Sequence, residues 1–172
     1  MTQLLITGGR QVGKSTLLRK LVSRAGLPVY GFITQKISCL DGDRFYIFPA
    51  SLPESRRVCS DENLIAIRKS FFTARPEVFD SLGTEYIRQA QKGGILLMDE
   101  LGFLESEALL FQNEVFRALN GDIPVLAALR QKEDAEFLRR VRRCENTVLY
   151  TVTEQNRDAL FYELAERFPI YR

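Results

Sequence analysis

Histidine and tryptophan are missing from this 172-residue sequence. Without an imidazole there is no histidine-based triad, no histidine metal ligand and no side chain whose ordinary pKa lies near neutrality. Chemistry has to rest on carboxylates, Lys, Arg, hydroxyls, backbone amides or a bound metal. Cysteine is scarce: Cys39, Cys59 and Cys144 are odd in number and widely spaced. That excludes a C-x-x-C motif, argues against a disulfide framework or a zinc site, and leaves three reduced thiols as the expectation. No apolar run approaches the roughly 20 residues that span a bilayer. Met1-Thr2-Gln3 leads into a short apolar run with no basic n-region and no long h-region. It does not read as a signal peptide, and the expected location is the cytoplasm. Charge of one sign is also lacking. A formal net charge of +2 gives no reason to expect nucleic acid or a membrane surface as a partner.

What remains is ordinary globular composition, 45% hydrophobic and 27% charged. The length suggests one domain over residues 1–172, able to bury roughly 70% of its unfolded surface. Leu4-Leu5-Ile6 reads as a short buried strand ending at Gly8-Gly9. Leu17, Leu18, Leu21 and Val22 follow at helical spacing, and Gly26-Leu27-Pro28 is a helix stop. Val29 to Ile37 and Arg44 to Phe48 read as a hairpin around an Asp41-Gly42-Asp43 turn. Residues 49–75 are hard to read: Pro49, Pro53 and Glu54 to Arg57 suggest a loop, and Ile65 to Phe72 fits strand or helix. Pro76 opens a helix to about Lys92, closed by Gly93-Gly94. Then come a strand at Ile95 to Met98, a helix over about 105–120, a strand at Ile123 to Leu129, and a helix at Glu133 to Val141. A strand at Thr147 to Val152 and a helix at Glu154 to Arg167 close the chain. Strands alternating with helices predict an α/β fold with a mostly parallel sheet covered on both faces, three layers in all, with a β-hairpin insertion.

Gly8-Gly9-Arg10-Gln11-Val12-Gly13-Lys14-Ser15 matches G-x-x-x-x-G-K-[ST], between an apolar strand and an amphipathic helix. Glycines let the backbone curl around phosphate oxygens. The loop amides point inward, and the helix N-terminus adds partial positive charge. Lys14 supplies a cation for the β- and γ-phosphates, Ser15 Oγ suits Mg²⁺, and Thr16 is placed near the α-phosphate. Residues 8–16 are therefore expected to bind a nucleoside triphosphate with Mg²⁺ as cofactor. Ile95 to Met98 ends at Asp99-Glu100, as an acidic strand beside a P-loop requires. Asp99 is the expected second Mg²⁺ ligand, directly or through water. Glu100 is placed to orient or deprotonate the attacking water, which explains how water is activated without histidine.

Taken in order, these residues resemble the small P-loop nucleoside-triphosphatases, the family of the cancer-related and hyperthermophile nucleoside-triphosphatases. Tyr30-Gly31-Phe32-Ile33-Thr34 resembles its Gly-aromatic-x-Thr strand, and Asp41-Gly42-Asp43-Arg44 its hairpin turn. Asp99-Glu100-Leu101-Gly102 with Glu105 resembles D-E-I-G-x-x-E, and Val152 to Asp158 its V-T-x-x-N-R segment. The resemblance implies slow, Mg²⁺-dependent hydrolysis of ATP or GTP with weak base selectivity, on a RecA- or AAA-like sheet. Phe103 departs from it, standing where the family often has Lys, and residues 49–75 match poorly. Arg130, in Leu129-Arg130-Gln131-Lys132, takes the place of a basic or His-containing segment.

Arg44 has two readings, an arginine finger to the γ-phosphate or a solvated hairpin charge. Arg130, after an apolar strand, is a candidate phosphate sensor. Asn156-Arg157 either builds a helix start or lines a base pocket. Arg139-Arg140-Val141-Arg142-Arg143 reads as a solvated helix face. Phe71, Phe72 and Phe79 read as core, although an aromatic ring also stacks on a base. The expected activity is NTP hydrolysis. A small-molecule or nucleotide kinase, and a nucleotide-dependent switch acting through a protein partner, stand as alternatives.

Overall fold

The computed structural model describes residues 2–132 and 135–167. Eight strands form one sheet in the order β5-β4-β3-β2-β6-β7-β1-β8. The parallel part comprises β2 (Val29–Cys39), β6 (Ile95–Leu101), β7 (Val125–Leu129), β1 (Gln3–Thr7) and β8 (Thr147–Thr151). β1, between β7 and β8, is buried at every position. Its alternation sorts the core onto two faces, as strand geometry demands. Leu4 and Ile6 pack with Leu17, Leu18 and Leu21 of α1 (Lys14–Ala25) and Leu160 and Leu164 of α6 (Arg157–Arg167). Leu5 faces the other way, in a core with Phe79, Phe111, Val115 and Leu138. Those side chains come from the helical segment 76–88, from α4 (Leu109–Leu119) and from α5 (Glu136–Arg142). The helices therefore cover both faces of the sheet, giving three layers. Among the described residues no helix is long and apolar enough to cross a membrane.

The other half of the sheet is antiparallel. β2 pairs with β6 only as far as Ile33 opposite Asp99, then runs on to Cys39. β3 (Gly42–Pro49), β4 (Leu64–Arg68) and β5 (Phe72–Ala74) follow as a meander. The expected hairpin is thus part of a larger extension that draws in the difficult segment 49–75. Leu64-Ile65-Ala66-Ile67 is too short for its periodicity to separate strand from helix.

Pro76 opens a helical rod made of α2 (Pro76–Val78), a π segment (Phe79–Gly83) and α3 (Thr84–Arg88). It ends one turn before the expected Lys92. α4 begins at Leu109, later than expected, because residues 102–108 form turns. α6 begins at Arg157, because Asn156 and Thr153 cap it reciprocally. The Thr153 N–H donates to Asn156 Oδ1 at 2.8 Å, and the Asn156 N–H to Thr153 Oγ1 at 3.2 Å. The helix expected from Glu133 begins, as described, at Glu136; Glu133 and Asp134 lie outside the described residues.

Candidate active site at the P-loop

The loop after β1 enters α1 through Gly13, whose left-handed φ of 106° places it as the helix N-cap. No side chain caps this end and its first turn carries no acidic residue. The orphan amides of the first turn thus stay available to an anion, beside the positive end of the helix dipole. Gly8 has φ of +148°, and a Cβ there would stand 2.2 Å from the Val152 carbonyl oxygen. Only glycine lets the loop press against the end of β8. Gly13 lies against Arg157, whose Cδ would be 3.2 Å from an added Cβ.

Lys14 is buried to 9% exposure, and its Nζ donates to the carbonyls of Gly8 (3.1 Å) and Gly9 (3.0 Å). It also lies 3.4 Å from Glu100 Oε2. The ammonium thus closes the loop onto itself. Ser15 Oγ donates to Asp99 Oδ1 at 2.9 Å. Asp99 is buried, which pushes its pKa up; the Ser15 hydrogen bond opposes that shift and the charge of Glu100 adds to it. Two hard oxygen donors meet at a poorly solvated carboxylate. Among the described residues no group of three or more His, Cys, Asp or Glu could hold a metal. Such a pair suits Mg²⁺, which keeps several waters and shares substrate phosphates rather than filling a protein cage.

A cavity of about 560 Å³ opens over this loop. Of the motif, Gly8, Arg10, Gln11, Gly13, Lys14, Ser15 and Thr16 border it, while Gly9 serves Lys14 through its carbonyl and Val12 packs into the core. Glu100 and Arg130 line it as well, with Gln131 and Lys132. The Arg130 guanidinium lies over the ring of Phe103, 4.3 Å from its centroid. Phe103, which stands where the resembled family often has Lys, thus lies against Arg130.

Arg44 is not brought to the cavity. Opposite Ile37 in the hairpin, it shares the sheet face of Tyr46 and Phe48 and is held by both carboxylate oxygens of Asp41 at 2.9 and 3.0 Å. The adjacent residue Phe45, opposite Lys36, faces the cavity, and both line it together with Arg68 and Phe72. Phe79 is core as expected, whereas Phe71 is exposed. Arg142, expected on a solvated face, turns inward. Its Nη2 donates to the carbonyls of Arg130 at 2.6 Å and Gln131 at 3.2 Å, tying down the loop that carries Arg130.

Behind the cavity, both carboxylate oxygens of Glu105 accept from the Gly102 N–H at 3.1 Å. Burial pushes its pKa up from 4.5 to about 7, against the pull of its backbone hydrogen bonds. Between those values the folded protein holds a proton that the unfolded chain releases. Stability therefore falls as pH rises through this window, and levels off above 7. The full effect is about 3 kcal/mol, at 1.36 kcal/mol per unit. In urea titrations at pH 5, 6.5 and 8, wild type should lose about that much stability relative to Glu105→Gln. A constant difference between the two would show that Glu105 is ionised throughout.

The fold and this site define a P-loop nucleotide-binding protein with a three-layer α/β/α architecture. A family model described as NTPase matches residues 3–165, and the chain belongs to that family. It is 30% identical to nucleoside-triphosphatase THEP1 of Methanocaldococcus jannaschii over 175 residues, covering 96% of each chain. It is 31% identical to the protein of the same name from Thermofilum pendens over 174 residues, covering 94% of this chain and 92% of that one. The crystal structure of THEP1 from the hyperthermophile Aquifex aeolicus is similar in fold. Its TM-score is 0.76 at 21% identity, over 95% of this chain and 96% of that chain.

Proposed function

We propose that this protein is a cytoplasmic, Mg²⁺-dependent nucleoside-triphosphatase acting as one domain. It cleaves the β–γ anhydride of ATP or GTP with weak base selectivity. The observation that carries this reading is the meeting of Lys14, the Ser15–Asp99 pair and Glu100 at one P-loop. Membership of the NTPase family and the names of its relatives support it. The loop amides and the α1 N-terminus hold the phosphate oxygens, and Lys14 leaves Glu100 to neutralise the β- and γ-phosphates. Ser15 and Asp99 would hold Mg²⁺, which would supply charge neutralisation for the phosphates. Glu100 accepts a proton from water as the water oxygen bonds to the γ-phosphorus. The bond to the β–γ bridging oxygen breaks, giving a nucleoside diphosphate and phosphate. Arg130 stands where it can meet charge developing on the γ-phosphoryl group.

Phosphate release from ATP and GTP, in Mg²⁺ and in EDTA, tests the reading. Release with both nucleotides only in Mg²⁺ supports it. Tight nucleotide binding without release would replace hydrolysis by a switch acting through a partner.

A further inference from the structure

The P-loop does not account for the whole cavity. In sheet order the P-loop follows β1, the carboxylates Asp99 and Glu100 end β6, and β2 to β5 lie beyond β6 on the far side. Lys14 and Glu100 mark where the γ-phosphate end of a triphosphate belongs. The wall past that end is the overhanging part of β2 with β3, β4 and β5. Lys36 is three residues past Ile33, the last β2 residue paired with β6, and so about 10 Å further along the strand. Cross-strand register puts Lys36, Phe45, Arg68 and Phe72 on one face of this wall, and all four line the cavity.

Their chemistry is that of a binding site. Phe45 and Phe72 are partly exposed, with ring centroids 5.6 Å apart, and Phe103 meets Phe72 edge-on at 5.0 Å. The Arg68 guanidinium sits 5.7 Å from the Phe72 centroid, and Arg130 covers Phe103 on the other flank. Lys36 and Arg68 share one carboxylate, that of Asp43, which also accepts from Ser38 at 2.7 Å. Two cations on one carboxylate leave a positive surplus, and both side chains stay more than a third exposed. Among the described residues that line the cavity six are cationic and one, Glu100, is acidic, and two of the cations also meet Asp43. Lys14 and the helix N-terminus are what the motif provides for a triphosphate. Lys36 and Arg68 stand outside that provision.

We infer that the wall formed by β2 to β5 is a second ligand subsite, for a planar ring carrying a monophosphate, beside the γ-phosphate end of the triphosphate site. The ring packs on the exposed faces of Phe45 and Phe72. Arg68 and Lys36 receive the phosphate, the guanidinium through paired N–H donors and the ammonium as a point charge. A smaller cavity that shares Phe45, Phe72, Glu100 and Arg130 adjoins it, lined further by Ile65, Phe79 and Leu104 and by Glu105. The inference rests on the triphosphate reading of the P-loop, since that reading defines which part of the cavity is left over.

The test separates the two. Binding of adenylyl imidodiphosphate with Mg²⁺ is measured first by calorimetry; its failure would sink the triphosphate reading itself. The saturated complex is then titrated with phenyl phosphate, which carries both ring and dianion. The expected result is saturable binding near 1 mM or tighter, without release of the nucleotide analogue. Inorganic phosphate and phenol, each with half of the chemistry, should bind at least about tenfold more weakly. Arg68→Gln should weaken phenyl phosphate by about tenfold and leave analogue affinity within about twofold. Lys36→Gln, at an exposed position, decides the matter if Arg68→Gln fails to fold. No saturable binding, displacement of the analogue, or affinity unchanged in the folded variants would overturn the subsite.

Discussion

Glu100→Gln should bind Mg-ATP at least as tightly as wild type and release phosphate about a hundredfold to a thousandfold more slowly. The two halves of this result have separate causes. Lys14 is held by Glu100 at 3.4 Å and by the carbonyls of Gly8 and Gly9. Binding a triphosphate breaks the ion pair. A neutral amide relaxes that competition and removes a negative charge facing the γ-phosphate, so affinity is kept or improved. In the proposed mechanism the chemical step loses its proton acceptor, a group that contributes about 10²- to 10⁴-fold. Among the described residues the other candidates are engaged or buried: there is no histidine in the chain, Asp99 is engaged with Ser15, and Glu105 is 2% exposed with both oxygens on the Gly102 N–H. Equilibrium binding and single-turnover phosphate release, measured together, separate the effects. A variant that turned over at the wild-type rate would reduce Glu100 to an electrostatic partner of Lys14.

The parts of the site that were legible in the sequence are those encoded locally. The P-loop declares itself because the spacing of Gly8, Gly13, Lys14 and Ser15 suffices to shape a strand–loop–helix turn around phosphate. Asp99 and Glu100 stand out because a four-residue apolar run stops at two acids. What stayed hidden depends on register. Arg44 was a reasonable finger candidate on the hairpin, yet side chains alternate along a strand, and one position decides which face a residue takes. Phe45 faces the cavity and Arg44 faces away. Arg68 and Phe72 were masked by a segment whose strand character comes from pairing with β3 rather than from its own pattern. Arg142 was lost in a run of arginines. A short helix with four Arg in five positions does not reveal which of them turns back to hold the carbonyl of Arg130. Locally closed motifs are readable from spacing, whereas the cations around them are set by tertiary pairing.

Asp99 tests the balance between stability and function that such a site implies. Asp99→Asn should slow Mg²⁺-supported phosphate release by about a hundredfold or more, since charge neutralisation by a metal is worth several kcal/mol. In EDTA the same variant should melt at or above wild type, by up to about 4 °C for each kcal/mol recovered. The reason lies in the surroundings of the carboxylate. It is 8% exposed, and it accepts a hydrogen bond from the neutral hydroxyl of Ser15 at 2.9 Å. Glu100 next to it adds repulsion, and burial raises its pKa. An amide keeps an acceptor for Ser15 and removes a charge that water no longer supports. Mg²⁺ with nucleotide should then stabilise wild type by about 2.7 kcal/mol at a hundred times the dissociation constant, which appears as a higher melting temperature. The variant should lose the Mg²⁺-dependent part of that gain. Thermal melts in EDTA, in Mg²⁺ and in Mg²⁺ with adenylyl imidodiphosphate resolve the three terms. If Asp99→Asn melts well below wild type in EDTA, the carboxylate is a structural anchor for Ser15 and α1. If it melts as high or higher, its charge is carried at a cost to the fold that only a bound cation repays.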